Sequence, residues 1–207
     1  SYECTIDWEG RHYCGLTFDW NYKQGYVDVS MPGYVPKALE KFGHPAPSTP
    51  QYAPHLWTVP VYGKHVKQMP TPMSTAQKLD GPATVRVQAV SGTFAFYARG
   101  VDPTMLPALN EISSQQAAPT VDTTKKCNML MDYAHTYPNA TLRYHASDMI
   151  LYIEADSSYL VQPEARSRAA AHFYFGNKID GTNNAPIHTM RKTIKGVMSS
   201  ACLLYTS

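Results

Sequence analysis

Proline placement constrains this chain more than any other feature. Eight of its 16 prolines, in 207 residues, fall between Pro45 and Pro82. A proline ring fixes φ and removes a backbone donor, so neither a helix nor a central strand runs through such a stretch. Ser48, Thr49, Gly63, Thr71, Ser74 and Gly81 lie in the same segment. Residues 45–83 therefore read as a linker wrapped on the surface, semi-rigid where prolines are dense. So long a connection is unusual inside one compact unit, which predicts modules on either side.

Ahead of the linker, residues 12–20 and 26–31 have strand character, with a turn over 21–25 between them. Val35, Leu39 and Phe42 then occupy one face of a short helix after Pro32-Gly33. This unit, residues 1–44, is too small to fold alone. Behind the linker, residues 84–146 predict a three-helix connector. The first helix covers Val85 to Arg99 with Val90, Phe94 and Tyr97, and Gly92 in its middle predicts close packing or a weak point. Asp102-Pro103 is a helix start, a capping carboxylate followed by proline at the first helical position. Met105, Leu109, Ile112 and Gln116 follow with helical spacing. Pro119-Thr120 opens the third helix, whose stripe is Cys127, Leu130, Met131 and Ala134, and Tyr137-Pro138 ends it.

From Asp148 the period changes to two. Met149, Leu151, Ile153 and Ala155 point one way, Ile150 and Tyr152 the other, so both faces are largely apolar. That predicts a central strand covered on both sides. Ala169 to Phe175 reads as a second strand and Thr193 to Met198 as a third. Ser199 and Ser200 offer caps for a following helix. The expected fold class is α+β: a β-hairpin and helix, the Pro-rich linker, three helices, then a mixed sheet of about three strands.

Composition excludes more than it identifies. Lys+Arg 18 against Asp+Glu 16 leaves +2, so the whole chain is no electrostatic clamp for nucleic acid. At 43% hydrophobic and 16% charged it is not a disordered solvating chain. No run of about eighteen apolar residues predicts a membrane span. Asp7, Glu9, Arg11 and Asp19 interrupt any apolar core of a signal peptide. The cysteines, Cys4, Cys14, Cys127 and Cys202, form no CxxC pair, and free thiols in a reducing compartment are the expectation.

Among residues that could carry chemistry, Asp156 stands out at the predicted end of an apolar strand. A carboxylate there can hold a divalent cation, because the strand fixes its oxygens. On spacing alone the favoured reading is that it closes the strand through an Asx-turn with Ser157 and Ser158. Glu154 points to the same face and reads as an exposed edge carboxylate. No G-x-S-x-G or H-E-x-x-H occurs, and His172 reads as a satisfied strand histidine. Residues 163–195 hold Arg166, Arg168, Lys178, Arg191, Lys192 and Lys195 against Glu164 and Asp180, a local +4. Such a hairpin is either a solvated basic face or a track for a phosphate backbone.

Several segments are similar, in order, to one known family. Tyr13-Cys14-Gly15-Leu16, Asp28-Val29-Ser30-Met31-Pro32-Gly33-Tyr34 and the Leu39/Phe42 helix resemble the end of a retrotransposon reverse transcriptase. Tyr62-Gly63-Lys64, Val90-Ser91-Gly92-Thr93, Tyr97-Ala98-Arg99 and Val101-Asp102-Pro103-Thr104-Met105-Leu106 continue the likeness. So do Met131-Asp132-Tyr133, Arg143-Tyr144-His145-Ala146-Ser147-Asp148-Met149, Ala155-Asp156-Ser157-Ser158-Tyr159-Leu160 and Ala165-Arg166-Ser167-Arg168-Ala169. From about Cys4 to Ala201 the order resembles the Pol polyprotein of LTR retrotransposons of copia type.

The resemblance implies a role for each module. The hairpin resembles a primer grip and the helix after it the start of a thumb, both in residues 1–44. Residues 84–146 resemble the thumb and connection, and residues 147–201 the opening of an RNase H domain. In that family a hybrid's RNA strand is cut by water activated between two Mg²⁺ ions held by a carboxylate cluster. Asp156 matches the first carboxylate of that cluster, so the resemblance makes it the catalytic and metal-binding candidate. It also makes Arg166, Arg168 and Lys192 the candidates for nucleic-acid contact. The implied partners are an RNA–DNA hybrid or template–primer duplex and the rest of the polyprotein, with no membrane. The implied location is intracellular, in a cytoplasmic particle or the nucleus.

The departures carry equal weight. The polymerase aspartates would lie upstream of Ser1, and position 202, near the next expected RNase H carboxylate, is Cys. Cys202 to Ser207 resembles translated adapter sequence, a foreign tail after Ala201. One carboxylate cannot hold two cations against their repulsion, so a bound Mg²⁺ pair and activity are not expected of this chain. The alternative reading is a domesticated, non-catalytic nucleic-acid-binding or scaffold protein.

Overall fold

The structure, a computed structural model, describes residues 6–56, 75–162, 166–178 and 184–194. The hairpin forms as its turn chemistry predicts. β1 (His12–Tyr13), β2 (Leu16–Asn21) and β3 (Tyr26–Ser30) pair antiparallel, with Phe18 opposite Val29 and Trp20 opposite Val27. Asn21 closes the turn: its side chain accepts from the Gln24 N–H at 2.9 Å, and the Gly25 N–H reaches its carbonyl at 2.8 Å.

α1 (Tyr34–Lys41) buries Val35, Ala38 and Leu39. Its end is a Schellman motif, in which the His44 N–H bonds the Leu39 carbonyl at 3.0 Å and the Gly43 N–H bonds Glu40 at 2.9 Å. That motif needs a left-handed residue, and Gly43 supplies it at φ +56°. α2 (Gly81–Gly100) starts four residues earlier than its periodicity predicts, because Asp80 caps it by accepting from the Ala83 N–H at 2.9 Å. Gly92 has open space beside it, so of its two readings, close packing or a weak point, close packing is excluded; at Gly100 a Cβ would meet Met31 Cε at 2.6 Å.

Asp102 accepts from the Thr104 N–H at 3.2 Å and caps a 3₁₀ turn (Pro103–Met105) that runs into α3 (Leu106–Gln115). Met105, Leu109 and Ile112 are buried as their spacing predicts, whereas Gln116 lies past the helix and is exposed. α4 (Val121–Thr136) begins with a capping box between Thr120 and Thr123 and buries the Cys127, Leu130, Met131 and Ala134 stripe. Burial pushes the Cys127 thiol up to about 11, so this cysteine packs as a neutral hydrophobe.

One core gathers these elements: Val29 and Met31 from the hairpin, Val35 and Leu39 from α1, and the inner faces of α2, α3 and α4. The described parts of the Pro-rich stretch are tied to α4 at both ends. His44 Nε2 lies 2.7 Å from Asp132 Oδ1, and the Gln51 N–H bonds the Thr136 hydroxyl at 2.9 Å. On the other side the Leu79 N–H reaches the Pro119 carbonyl at 2.9 Å and the Val121 N–H reaches Gln77 at 3.0 Å. The middle of the predicted linker, residues 57–74, lies outside the described residues.

Sequence periodicity missed β4 (Thr141–His145), which pairs with β3 and completes a four-stranded antiparallel sheet. The second sheet contains β5 (Ile150–Gln162), β6 (Arg166–Gly176) and β7 (His188–Ile194), in that order. Three expectations need correction here. The sheet is antiparallel throughout, not mixed. β6 is its central strand and β5 an edge, with Leu151 and Ile153 more than half exposed, so the doubly apolar pattern reported composition and not position in the sheet. The third strand begins five residues earlier than expected, and residues 195–198 lie outside the described residues. Together this is an α+β protein with two antiparallel sheets and four α-helices among the described residues. No helix among them is long and apolar enough to cross a membrane.

Candidate nucleic-acid interface

The two faces of the second sheet differ in chemistry. Side chains alternate along a strand and cross-strand partners share a face. One face carries Leu151, Ile153, Ala155, Ala169, Ala171, Phe173 and Lys192. The other carries Glu154, Asp156, Arg168, His172, Tyr174 and Arg191. Asp156 sits opposite Ala170 in the middle of β5, six residues from either end, which corrects the expectation of a strand-end carboxylate. It is exposed, and its Oδ1 accepts its own neighbour's N–H, that of Ser157, at 2.7 Å.

Glu154 shares that face, opposite His172, and accepts a hydrogen bond from the Tyr174 hydroxyl at 2.9 Å. The Glu154 carboxylate holds the Tyr174 phenol above its ordinary pKa, with desolvation adding to the effect. His172 Nδ1 lies 3.1 Å from the Thr189 hydroxyl, which satisfies one ring nitrogen within the sheet. Among the described residues no three His, Cys, Asp or Glu side chains converge as a metal site.

The register separates the three basic candidates. Arg168 lies opposite Thr193, and Lys192 opposite Ala169, so Arg168 and Lys192 occupy opposite faces. Lys192 is exposed and Arg168 half-buried. Arg166 opens β6 in register with Gln162, and its side chain lies outside the described residues. The sequence reading did not single out Arg191, because nothing local marks it. Its guanidinium is desolvated beside Arg168, and burial and that like charge bring its pKa down to about 10. His55 feels the same two cations, and burial lowers its pKa first of all. The carboxylate that offsets them, Glu111, is bound to Lys126 at 2.8 Å.

In the first sheet, the hairpin expected to act as a primer grip presents two features. Phe18, Trp20 and Tyr22 stack in sequence, with centroids 6.1 and 5.7 Å apart, and Tyr22 is largely exposed. On the other face the Arg143 guanidinium grips Asp28 with two 2.7 Å bonds and lies 3.8 Å from the Tyr26 ring centroid. The hydrogen bond from Arg143 holds the Asp28 carboxyl below its ordinary pKa.

Behind this sheet, a cleft of about 480 Å³ is lined by Asp102, Thr104, Tyr133 and Tyr137. Asp102 is buried, bonds the Thr104 hydroxyl, and its pKa is raised from 3.8 by desolvation. The folded state therefore holds this proton more tightly than the unfolded chain does. The resulting stability is fully present below pH 3.8 and is lost as pH rises through the folded-state value. Asp102→Asn keeps the capping oxygen and removes the titration. Its urea midpoint should vary less between about pH 3 and pH 7 than the parent's; equal pH dependence in the two proteins would contradict the assignment.

Comparison of the chain with protein-family models, with curated proteins and with solved structures finds no match.

Proposed function

We propose that this chain is a portion of a retroelement Pol polyprotein, covering the tail of a reverse transcriptase and the first strands of an RNase H domain, without hybrid-cleaving activity of its own. The single observation that carries the reading is the ordered run of motifs from Tyr13-Cys14-Gly15-Leu16 to Ala165-Arg166-Ser167-Arg168-Ala169. Two structural facts support it. A hairpin leads directly into a helix that shares a core with three more helices, as a palm edge followed by a thumb would. An antiparallel meander then carries Asp156 on its first strand, as the start of an RNase H sheet would.

In this reading the chain's partner is an RNA–DNA hybrid or template–primer duplex, contacted on the sheet face that carries Lys192, while Arg168 faces the other way. Mg²⁺ belongs to the complete domain, where further carboxylates join Asp156. The encoding nucleic acid on either side gives the direct test. A palm with paired aspartates upstream, and a Glu and an Asp at RNase H spacing downstream, are expected; unrelated flanking sequence sinks the proposal. A labelled RNA–DNA hybrid incubated with the chain and Mg²⁺ should stay uncut. Cleavage that disappears with Asp156→Asn would refute the reading of this chain as inert.

A further inference from the structure

A cleft of about 370 Å³ opens where the end of α2 and the 3₁₀ turn after it meet β4 and β7. Two guanidiniums line it, Arg99 from the last turn of α2 and Arg191 from β7, beside Pro103, Leu142 and His188. No Asp or Glu is among its lining residues. Arg191 is half-buried, and its Nε is shut off from solvent without a hydrogen-bond partner among the described residues. Its neighbour along the same sheet face is a second arginine, Arg168, and the carboxylate that offsets its charge, Glu111, already binds Lys126.

A desolvated guanidinium with an open donor and a like charge beside it is unfavourable until an anion arrives. Guanidinium forks match the oxygens of a phosphoryl group, and two forks supply more donors than one carboxylate can accept. The volume suits a group the size of a nucleotide rather than a duplex. We propose that this cleft binds a phosphoryl group, held between Arg191 and Arg99. The group can be a free phosphomonoester or the phosphodiester of a nucleic-acid strand. The site stands apart from the Pol reading, since it requires only an anion and these two side chains.

Calorimetric titration of the full chain with inorganic phosphate tests the proposal, with a 5′-mononucleotide and a dinucleotide lacking terminal phosphate as parallel arms. Saturable binding is expected in at least one arm, and Arg191→Gln and Arg99→Gln should each weaken it about tenfold. Tighter binding of the mononucleotide assigns the site to phosphomonoesters, and tighter binding of the dinucleotide assigns it to strand backbone. Arg99 is exposed at a helix end, so Arg99→Gln leaves the fold intact by circular dichroism and keeps the test decisive even where the Arg191 variant unfolds. No saturable binding in any arm, or binding that both substitutions leave unchanged, overturns the proposal.

Discussion

Tyr97→Ala is expected to cost about 3–5 kcal/mol, enough to leave much of the chain unfolded at room temperature. Tyr97 is wholly buried in α2 and stacks on Tyr34 of α1 at 5.5 Å with 13° between the rings. Its hydroxyl accepts from the Ala140 N–H at 2.9 Å and donates to the Pro138 carbonyl at 3.3 Å. One side chain thus joins α1 and α2 to the turn that delivers β4. Alanine loses the ring's transfer energy, leaves a cavity and orphans the Ala140 donor. Tyr97→Phe separates these terms, because it keeps the ring and loses only the bonds, at about 1–3 kcal/mol. Urea denaturation followed by circular dichroism measures both. A phenylalanine variant as unstable as the alanine one would show that the hydroxyl, not the packing, holds this junction.

Hybrid binding should weaken about threefold between roughly 50 and 200 mM monovalent salt, because each phosphate contact contributes about 0.9 to the slope of log affinity against log salt and Lys192 supplies one contact. The β6–β7 register decides which cations take part. A duplex lying on the open face meets Lys192, while Arg168 points to the other face and is half-buried. Lys192→Gln should therefore reduce the slope by about one and Arg168→Gln should leave it unchanged. Fluorescence anisotropy of a labelled hybrid, titrated at several salt concentrations, reads both. Binding insensitive to salt, or to Lys192, would remove nucleic acid as this sheet's partner.

Local rules read the helices well. The Asp102-Pro103 start, the Thr120 cap and the Cys127, Leu130, Met131, Ala134 stripe all depend on contacts within four residues. They were legible because capping and periodicity act along the chain. β4 was not, since Thr141–His145 alternates only weakly and becomes a strand by pairing with β3, more than a hundred residues earlier. Asp156 was legible as a residue but not in its setting. A strand's ends are set by its partner, and β6 extends the pairing of β5 well past that carboxylate.

The basic cluster marks the boundary between the two kinds of information. The sequence alone determined that a Pro-rich stretch lies between a hairpin unit and three helical segments, with a period-two segment after them, because proline, caps and alternation act through neighbouring residues. It also determined that the last segment is locally basic. Only the tertiary structure decided that Arg168 and Lys192 turn opposite ways while Arg191 joins Arg99 at a cleft. Strand register sets side-chain direction, a shift of one residue reverses every face, and register is chosen by partners distant in the chain.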